Sequence, residues 1–134
     1  CIRDRPGTGD TQLTFAQEIK VDGAVIISTP QEIALSDVKR GIKMFDKLNV
    51  PIIGLVDNMS FFETDDGKKY NIFGEGGVEK VSNDYKKNFL GKIPIDVDLR
   101  ISADEGTPLV EKNPDHKISK KFFEIAKKIK SFFH

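Results

Sequence analysis

Two continuous apolar runs, separated by one helical pattern, constrain the fold of this chain more than any other feature. The runs are Gly23–Ser28 and Ile52–Val56. Apolar strands without alternation are typical of a parallel sheet with both faces covered by helices. The segment between them predicts a helix that begins near Ser36, its predicted N-cap, and is broken by Pro51. Its apolar positions are three or four residues apart, at Val38, Ile42, Phe45 and Leu48.

The rest of the chain continues this alternation of strands and helices. The other predicted elements are a helix over Thr11–Ile19 capped by Asp10, a polar loop over Ser60–Gly77, a helix from Val78, a strand over Phe89–Pro94, a short helix over Val97–Ile101 and a last helix from Asp115. Such alternation predicts an α/β fold with a parallel sheet flanked by helices. The last helix has an apolar stripe and a lysine-rich face, and packing on the sheet is favoured over contact with a membrane.

Composition excludes several classes of function. Basic and acidic residues number 21 each, so the formal net charge of +0 argues against a general nucleic-acid-binding protein. The sequence has no apolar run near the ~20 residues that span a bilayer, so no membrane partner is predicted. A single cysteine excludes an intrachain disulfide and a multi-cysteine metal site. The predicted compartment is the cytoplasm.

The candidate site lies where the predicted strands end, because ligands of parallel sheets bind at the carboxyl ends of strands. Loops start there at Asp4, Ser28 and Asp57. The first loop, Asp4–Asp10, has an aspartate before Pro-Gly-Thr-Gly. P-loop ATPases have a similar element, in which the acidic residue is directed toward magnesium and the glycines let the backbone approach the phosphates. Pro-Gly-Thr-Gly alone is more often a tight turn. No G-x-x-x-x-G-K-[ST] loop occurs in the 134 residues.

An ordered set of short motifs extends over nearly the whole chain. It comprises Pro6–Leu13, Gly23–Ile26, Ser28–Glu32, Arg40–Phe45, Val50–Gly54, Asn58–Ser60, Ile72–Gly74, Gly76–Gly77, Ile93–Pro94 and Gly106–Pro108. This set closely resembles the C-terminal half of the Mrp/ApbC family. Members of that family are P-loop ATPases of the MinD/ParA-like group and are implicated as carriers of iron–sulfur clusters.

The resemblance implies a role for individual residues. Asp4 would help to order Mg²⁺ and the attacking water near the γ-phosphate of ATP. The implied nucleotide-binding residues are Gly7, Thr8, Gly9, Asn58 and Pro94. Asn58 would hydrogen-bond the edge of the adenine and Pro94 would pack near the base, whereas Thr29–Gln31 would face the site or a partner subunit. The resemblance also implies a homodimer with iron–sulfur client proteins.

Two departures from the family pattern bear on these roles. Asp4 matches the family aspartate only with a one-residue deletion, and without that gap Arg3 takes the acidic position. After Asn-Met-Ser, many members carry C-x-x-C, but this chain has Phe61–Tyr70 without cysteine. Hard carboxylates do not replace thiolates as cluster ligands, so the sequence has no cysteine ligands for a cluster at this position.

Two interpretations of the chain therefore stay open. It is the C-terminal portion, residues 1–134, of a single ATPase domain whose phosphate loop precedes Cys1, and alone it should hydrolyse ATP negligibly. Alternatively, it is a degenerate paralogue that acts as a binding or dimerisation module without catalysis. Simpler interpretations of single residues also remain: Asn58 as a left-handed turn residue, Gly74–Gly77 as a helix entry, and His116 as a surface residue.

Overall fold

The computed structural model describes the backbone of residues 10–133 and the side chains of residues 14–133. Asp4, Gly7, Thr8 and Gly9 lie outside the described residues. The elements are α1 (Asp10–Glu18), β1 (Ala24–Ser28), α2 (Glu32–Lys47), β2 (Ile52–Glu63), β3 (Lys69–Tyr70), α3 (Gly77–Asp84), β4 (Phe89–Ile95), α4 (Val97–Asp104), α5 (Leu109–Lys112) and α6 (Lys117–Phe132). The predicted α/β class is confirmed.

The sheet is built around β2. This strand pairs in parallel with β1 on one side and with β4 on the other, while β3 pairs antiparallel with its far end. Asp57 in β2 is aligned with Ser28 in β1 and with Lys92 in β4. The carboxyl ends of three parallel strands therefore lie at one edge of the sheet.

Helices cover both faces of this sheet. On one face α2 and α3 pack on the strands through a core of Val38, Ile42, Ile52, Leu55, Val78 and Val81. On the other face Ile125 of α6 is buried against Val56, Leu90 and Ile93. The predicted packing of the last helix on the sheet is confirmed, and Lys128 Nζ of this helix donates to the carbonyl oxygen of Leu90 at 2.8 Å. None of the described helices is both long and apolar enough to cross a membrane.

The predicted polar loop from Ser60 begins too early. Strand β2 continues to Glu63 because its far end pairs on both sides, Phe62 being aligned with Tyr70 of β3 and with Ile95 of β4. Ser60 is buried within this extension, and its hydroxyl donates to the carbonyl oxygen of Ile93 at 3.3 Å. Partners distant in sequence thus extend the sheet into the segment predicted as a loop.

Two further local predictions are wrong. Helix α2 starts at Glu32, directly after Pro30 and Gln31, so Ser36 lies inside the helix and its hydroxyl bonds to the carbonyl oxygen of Glu32 instead of capping. Strand β1 is not buried on both faces, since Ile27 exposes 64% of its surface. Among the described residues β1 pairs only with β2, which makes it an outer strand.

Candidate functional site

The carboxyl edge of the sheet brings together two of the predicted site residues. Asn58 near the end of the parallel part of β2 is aligned with Ile93 of β4, and Pro94 follows Ile93 directly. Asn58 is half-buried and Pro94 is buried. The side-chain amide of Asn58 offers one donor and one acceptor group side by side. This pair can bind a flat polar group that presents a matching donor and acceptor.

The backbone after Asn58 departs from regular strand geometry. Met59 has a φ of 55°, in the left-handed region, and the pairing with β4 is irregular between Asn58 and Phe62. The residue with the strained backbone is therefore Met59, not Asn58. The interpretation of Asn58 as a left-handed turn residue is wrong.

Asp57 is a feature of this edge that sequence reasoning placed only at the start of a loop. Asp57 is 1% exposed, and its Oδ1 atom has no hydrogen-bond partner among the described residues. Burial raises the pKa of the Asp57 carboxyl from 3.8 to about 6, the positive charge of Lys92 opposes this shift, and the negative charge of Glu79 adds to it. The sequence did show that Asp57 directly follows an apolar run. It did not show that Asp57 is buried, because its burial depends on neighbouring strands.

A salt bridge lies beside this buried acid. Lys92 Nζ of β4 is 3.6 Å from Glu79 Oε2 in the first turn of α3, and both side chains are partly exposed. The ammonium group thus pairs with Glu79 and acts on Asp57 only through space. Within the part of the chain that the structure describes, no basic side chain forms a salt bridge with Asp57.

The glycines before α3 fit closely against the turn that follows β1. A methyl group on Gly77 would lie 2.6 Å from Leu35 Cδ1 and 3.0 Å from the carbonyl oxygen of Pro30. Gly76, the N-cap residue of α3, has a φ of 66°. These contacts support the interpretation of Gly74–Gly77 as a tightly packed helix entry. Thr29–Gln31 follow β1 at its carboxyl end, as predicted.

The hairpin between β2 and β3 lies where the resemblance noted above would place a cysteine pair. Its turn is closed by polar bonds: Thr64 N donates to the carbonyl oxygen of Lys68 at 2.9 Å, and Thr64 Oγ1 donates to Asp66. The bond from Thr64 lowers the pKa of the Asp66 carboxyl. Lys68 adds a salt bridge to Asp66 at 3.6 Å. The turn is therefore held by its own side chains.

A group with metal-binding residue types lies where β4 joins α4. Ligand atoms of Asp96, Asp98 and His116 all lie within 4.8 Å of one another. Asp96 accepts a bond from Leu99 N at 3.0 Å, and His116 Nδ1 accepts one from Ile118 N at 3.2 Å. The second bond assigns the proton of a neutral ring to Nε2, which faces Asp98 Oδ2 at 3.3 Å. His116 is thus a half-buried helix cap tied to α4, not a simple surface residue.

The His116 cap gives a testable prediction. Replacement of His116 by Ala should lower the free energy of unfolding by about 1 kcal/mol, the usual loss for a helix cap. His116→Asn should retain most of the stability, because Asn is also a good N-cap. Chemical denaturation measures both. A rise of several degrees in the melting temperature on adding Zn²⁺ would instead indicate a metal site.

Comparison with known proteins decides the family. The family model described as ParA, the NUBPL iron-transfer P-loop NTPase, matches residues 2–130. The chain belongs to this family. An iron–sulfur cluster carrier protein of Aquifex aeolicus is 45% identical over 123 residues, which are 91% of this chain and 34% of that protein. The iron–sulfur cluster transfer protein NUBPL of Dictyostelium discoideum is 44% identical over 125 residues, 92% of this chain and 39% of that protein.

A solved structure supports the ParA/NUBPL fold independently. The nucleotide-binding protein of Archaeoglobus fulgidus, in complex with ADP, superimposes with a TM-score of 0.65 and 40% sequence identity. The match covers 73% of this chain and 41% of that one. The predicted likeness to MinD/ParA-like P-loop ATPases is confirmed. The chain spans roughly a third of the length of the curated relatives it matches.

Proposed function

We propose that this chain forms the base-binding part of an ATP-dependent P-loop NTPase that serves iron–sulfur cluster assembly. The observation that supports this function is the position of Asn58 at the carboxyl end of the parallel part of β2, where it is aligned with Ile93 of β4, the residue before Pro94. The donor and acceptor of the Asn58 amide match the donor and acceptor on the edge of adenine. Pro94 would lie near the base, as the resemblance implies. ADP bound to the Archaeoglobus relative supports the same ligand class.

Magnesium would be held elsewhere. Asp57, the acid at this edge, is enclosed and lies beside Lys92, so it does not suit a hydrated Mg²⁺ ion. We propose Asp4 for this role, with Gly7, Thr8 and Gly9 beside the phosphates, as the resemblance implies. When bound, the ion would neutralise charge on the phosphates during hydrolysis.

Iron–sulfur clusters enter this proposal as cargo. The hairpin from Thr64 to Lys68 offers hydroxyl, carboxylate and ammonium groups, none of which is a soft ligand. The sequence holds one cysteine, Cys1. We therefore propose that any cluster is held by ligands outside this hairpin, and that nucleotide binding regulates contact with client proteins.

We further propose that the chain is the C-terminal portion of one NTPase domain that works as a homodimer. The chain belongs to a P-loop family, but its 134 residues do not contain G-x-x-x-x-G-K-[ST]. This combination supports a phosphate loop encoded ahead of Cys1. The exposed Ile27 on the outer strand β1 is suited to packing under additional structure. Sequencing the reading frame ahead of the Cys1 codon tests this directly. A stop codon there would favour the degenerate binding module, because the hairpin has also lost its cysteines.

The base-binding role of Asn58 is tested by substitution. In the protein expressed from its full reading frame, Asn58→Ala should weaken ATP and ADP binding by about tenfold, since one or two hydrogen bonds to the base are lost. Isothermal titration calorimetry measures the affinity. The affinity for inorganic triphosphate should not change, because that ligand has no base.

Asn83→Ala is the matched control. Asn83 is an exposed amide in the last turn of α3, away from the carboxyl edge, and its loss should leave nucleotide affinity unchanged. Equal affinity of the Asn58 and Asn83 variants for ATP would overturn the proposed role of Asn58. Failure of the unmodified protein to bind any nucleotide would overturn the proposed function itself.

A further inference from the structure

The outer surface of α6 exposes aromatic side chains that the packing of the sheet does not use. Phe122 and Phe123 keep 38% and 44% of their surface exposed, and Ala126, one turn further on, is also exposed. Ala126 lies four positions after Phe122 and three after Phe123, so the three residues form one patch on the helix. We call Phe122, Phe123 and Ala126 the α6 patch. Helix α6 buries a different set of residues, Ile118, Ser119 and Ile125.

A cavity continues the α6 patch into the protein. Its volume is about 350 Å³, and Phe122 forms one wall. Leu99 and Ala103 of α4 and Pro108 and Leu109 at the start of α5 line the rest. Cavities of this size accept a large apolar side chain. The surface is therefore a groove with a hole at one end, not a flat patch.

The charge around the α6 patch is positive. Helix α6 carries six lysines and one acid, Glu124, although the whole chain has a formal net charge of +0. By helical spacing, Lys120 and Lys127 flank Phe123, and Lys130 follows Ala126. Two acids that adjoin cavity-lining residues in sequence pair with basic residues: Asp104 bonds to Arg100 at 2.7 Å, and Glu105 bonds to Lys112 at 2.7 Å. Lys117 pairs with Glu63 at 3.8 Å and Lys128 bonds to the carbonyl oxygen of Leu90, whereas within the described residues Lys120, Lys127 and Lys130 form no salt bridge. A partner of opposite charge would meet these three lysines.

We propose that the α6 patch and the adjoining cavity bind an acidic amphipathic helix of a partner protein. Such a helix would place an apolar side chain into the cavity and others along the patch, with its glutamates or aspartates facing the lysines of α6. This is the helix-in-groove mode of recognition, in which anchors recur three or four residues apart. The site lies on the helical layer of α4–α6, so this inference does not depend on nucleotide binding at Asn58.

The shape of the surface favours a protein helix over the other occupants. An anionic bilayer binds protruding apolar side chains beside lysines, and this binding does not require a cavity. A second copy of this chain would bring its own lysine-rich α6 against this one in a symmetric contact, and like charges would oppose it. An acidic helix satisfies both the cavity and the charge.

The experiment uses a synthetic 18-residue peptide with leucines at helical spacing and glutamates at the remaining positions. Heteronuclear NMR of the full chain should show the peptide shifting the signals of α6 and of the Pro108–Val110 segment. Ala126→Glu should weaken binding by about tenfold or more, because it places an acid in the centre of the patch. Phe123→Ala should weaken binding by about fivefold, and it leaves the buried residues of α6 intact.

Phe132→Ala is the matched control on the same helix. Phe132 is 40% exposed, a fraction close to that of Phe123. It lies nine residues after Phe123, so its side chain projects about 180° away around the helix. Its loss should leave the affinity unchanged. Equal binding of a peptide with lysine in place of glutamate would overturn the proposal, as would equal weakening by Phe132→Ala. Binding to phosphatidylglycerol vesicles without binding to the peptide, or dimerisation that Ala126→Glu abolishes, would also overturn it.

Discussion

Replacement of Asp57 by Asn should make the protein more stable at neutral pH, and the gain should disappear in acid. The Asp57 carboxyl has a pKa of about 6 in the folded protein, against 3.8 for a free side chain, because it is buried without a bonded partner. Between these two values the folded state holds a proton that the unfolded state has lost. Stability therefore falls as the pH rises through this window. Above it, the charged carboxylate lowers the free energy of unfolding by roughly 3 kcal/mol.

Asn has nearly the shape of a protonated Asp and carries no charge. Asp57→Asn should therefore match the natural protein near pH 4 and exceed its free energy of unfolding by about 1–3 kcal/mol at pH 7.5, the lower value allowing for the buried amide N–H groups. Urea unfolding at four or five pH values between 4 and 8 measures the difference curve. A flat curve would contradict the burial of a charged Asp57.

The control for this experiment is Asp84→Asn. Asp84 is an exposed carboxyl at the end of α3, so its substitution should change stability by less than about 0.5 kcal/mol at every pH. Lys92→Met tests the same site from the other direction. Removing the nearby positive charge should raise the pKa of Asp57 further and deepen the loss of stability at neutral pH.

The spacing of apolar residues predicted the main strands and helices of this fold, because the same apolar residues form its core. The runs that became β1 and the start of β2 are apolar in sequence, and Ile118 and Ile125 of the apolar stripe of α6 are buried. The extension of β2 from Ser60 to Glu63 was not predictable in this way. Its residues are polar or mixed, and the pairing that holds them in the sheet comes from Tyr70 and Ile95.

In the candidate site too, some residues were predictable from the sequence and others were not. Asn58 and Pro94 were predicted through the order of short motifs, and strand pairing aligns Asn58 with Ile93, the residue before Pro94. Asp57 was missed as a buried charge because, in sequence, an aspartate after an apolar run looks like the first residue of a loop. Only the flanking strands β1 and β4 exclude water from it.

The largest expected loss of stability is at Gly54, where β2 passes β4 most closely. A methyl group on Gly54 would lie 2.6 Å from Leu90 Cγ and 2.8 Å from the carbonyl oxygen of Asn88. Leu90 is buried in the core, and the Asn88 oxygen is fixed because it accepts a hydrogen bond from Leu55 N at 2.9 Å. Neither atom can move without breaking a contact, so Gly54→Ala should cost about 2–3 kcal/mol.

Gly41→Ala is the matched control for Gly54, with an expected effect of opposite sign. Gly41 lies in the middle of α2, and no atom would lie within 4 Å of an added methyl group. Replacing a helical glycine in open space should raise the free energy of unfolding by about 0.5–1 kcal/mol. Urea denaturation of the two variants should therefore shift the midpoint in opposite directions. If Gly54→Ala were neutral, β2 and β4 would not approach each other as the fold requires, and the alignment of Asn58 with Ile93 would lose its basis.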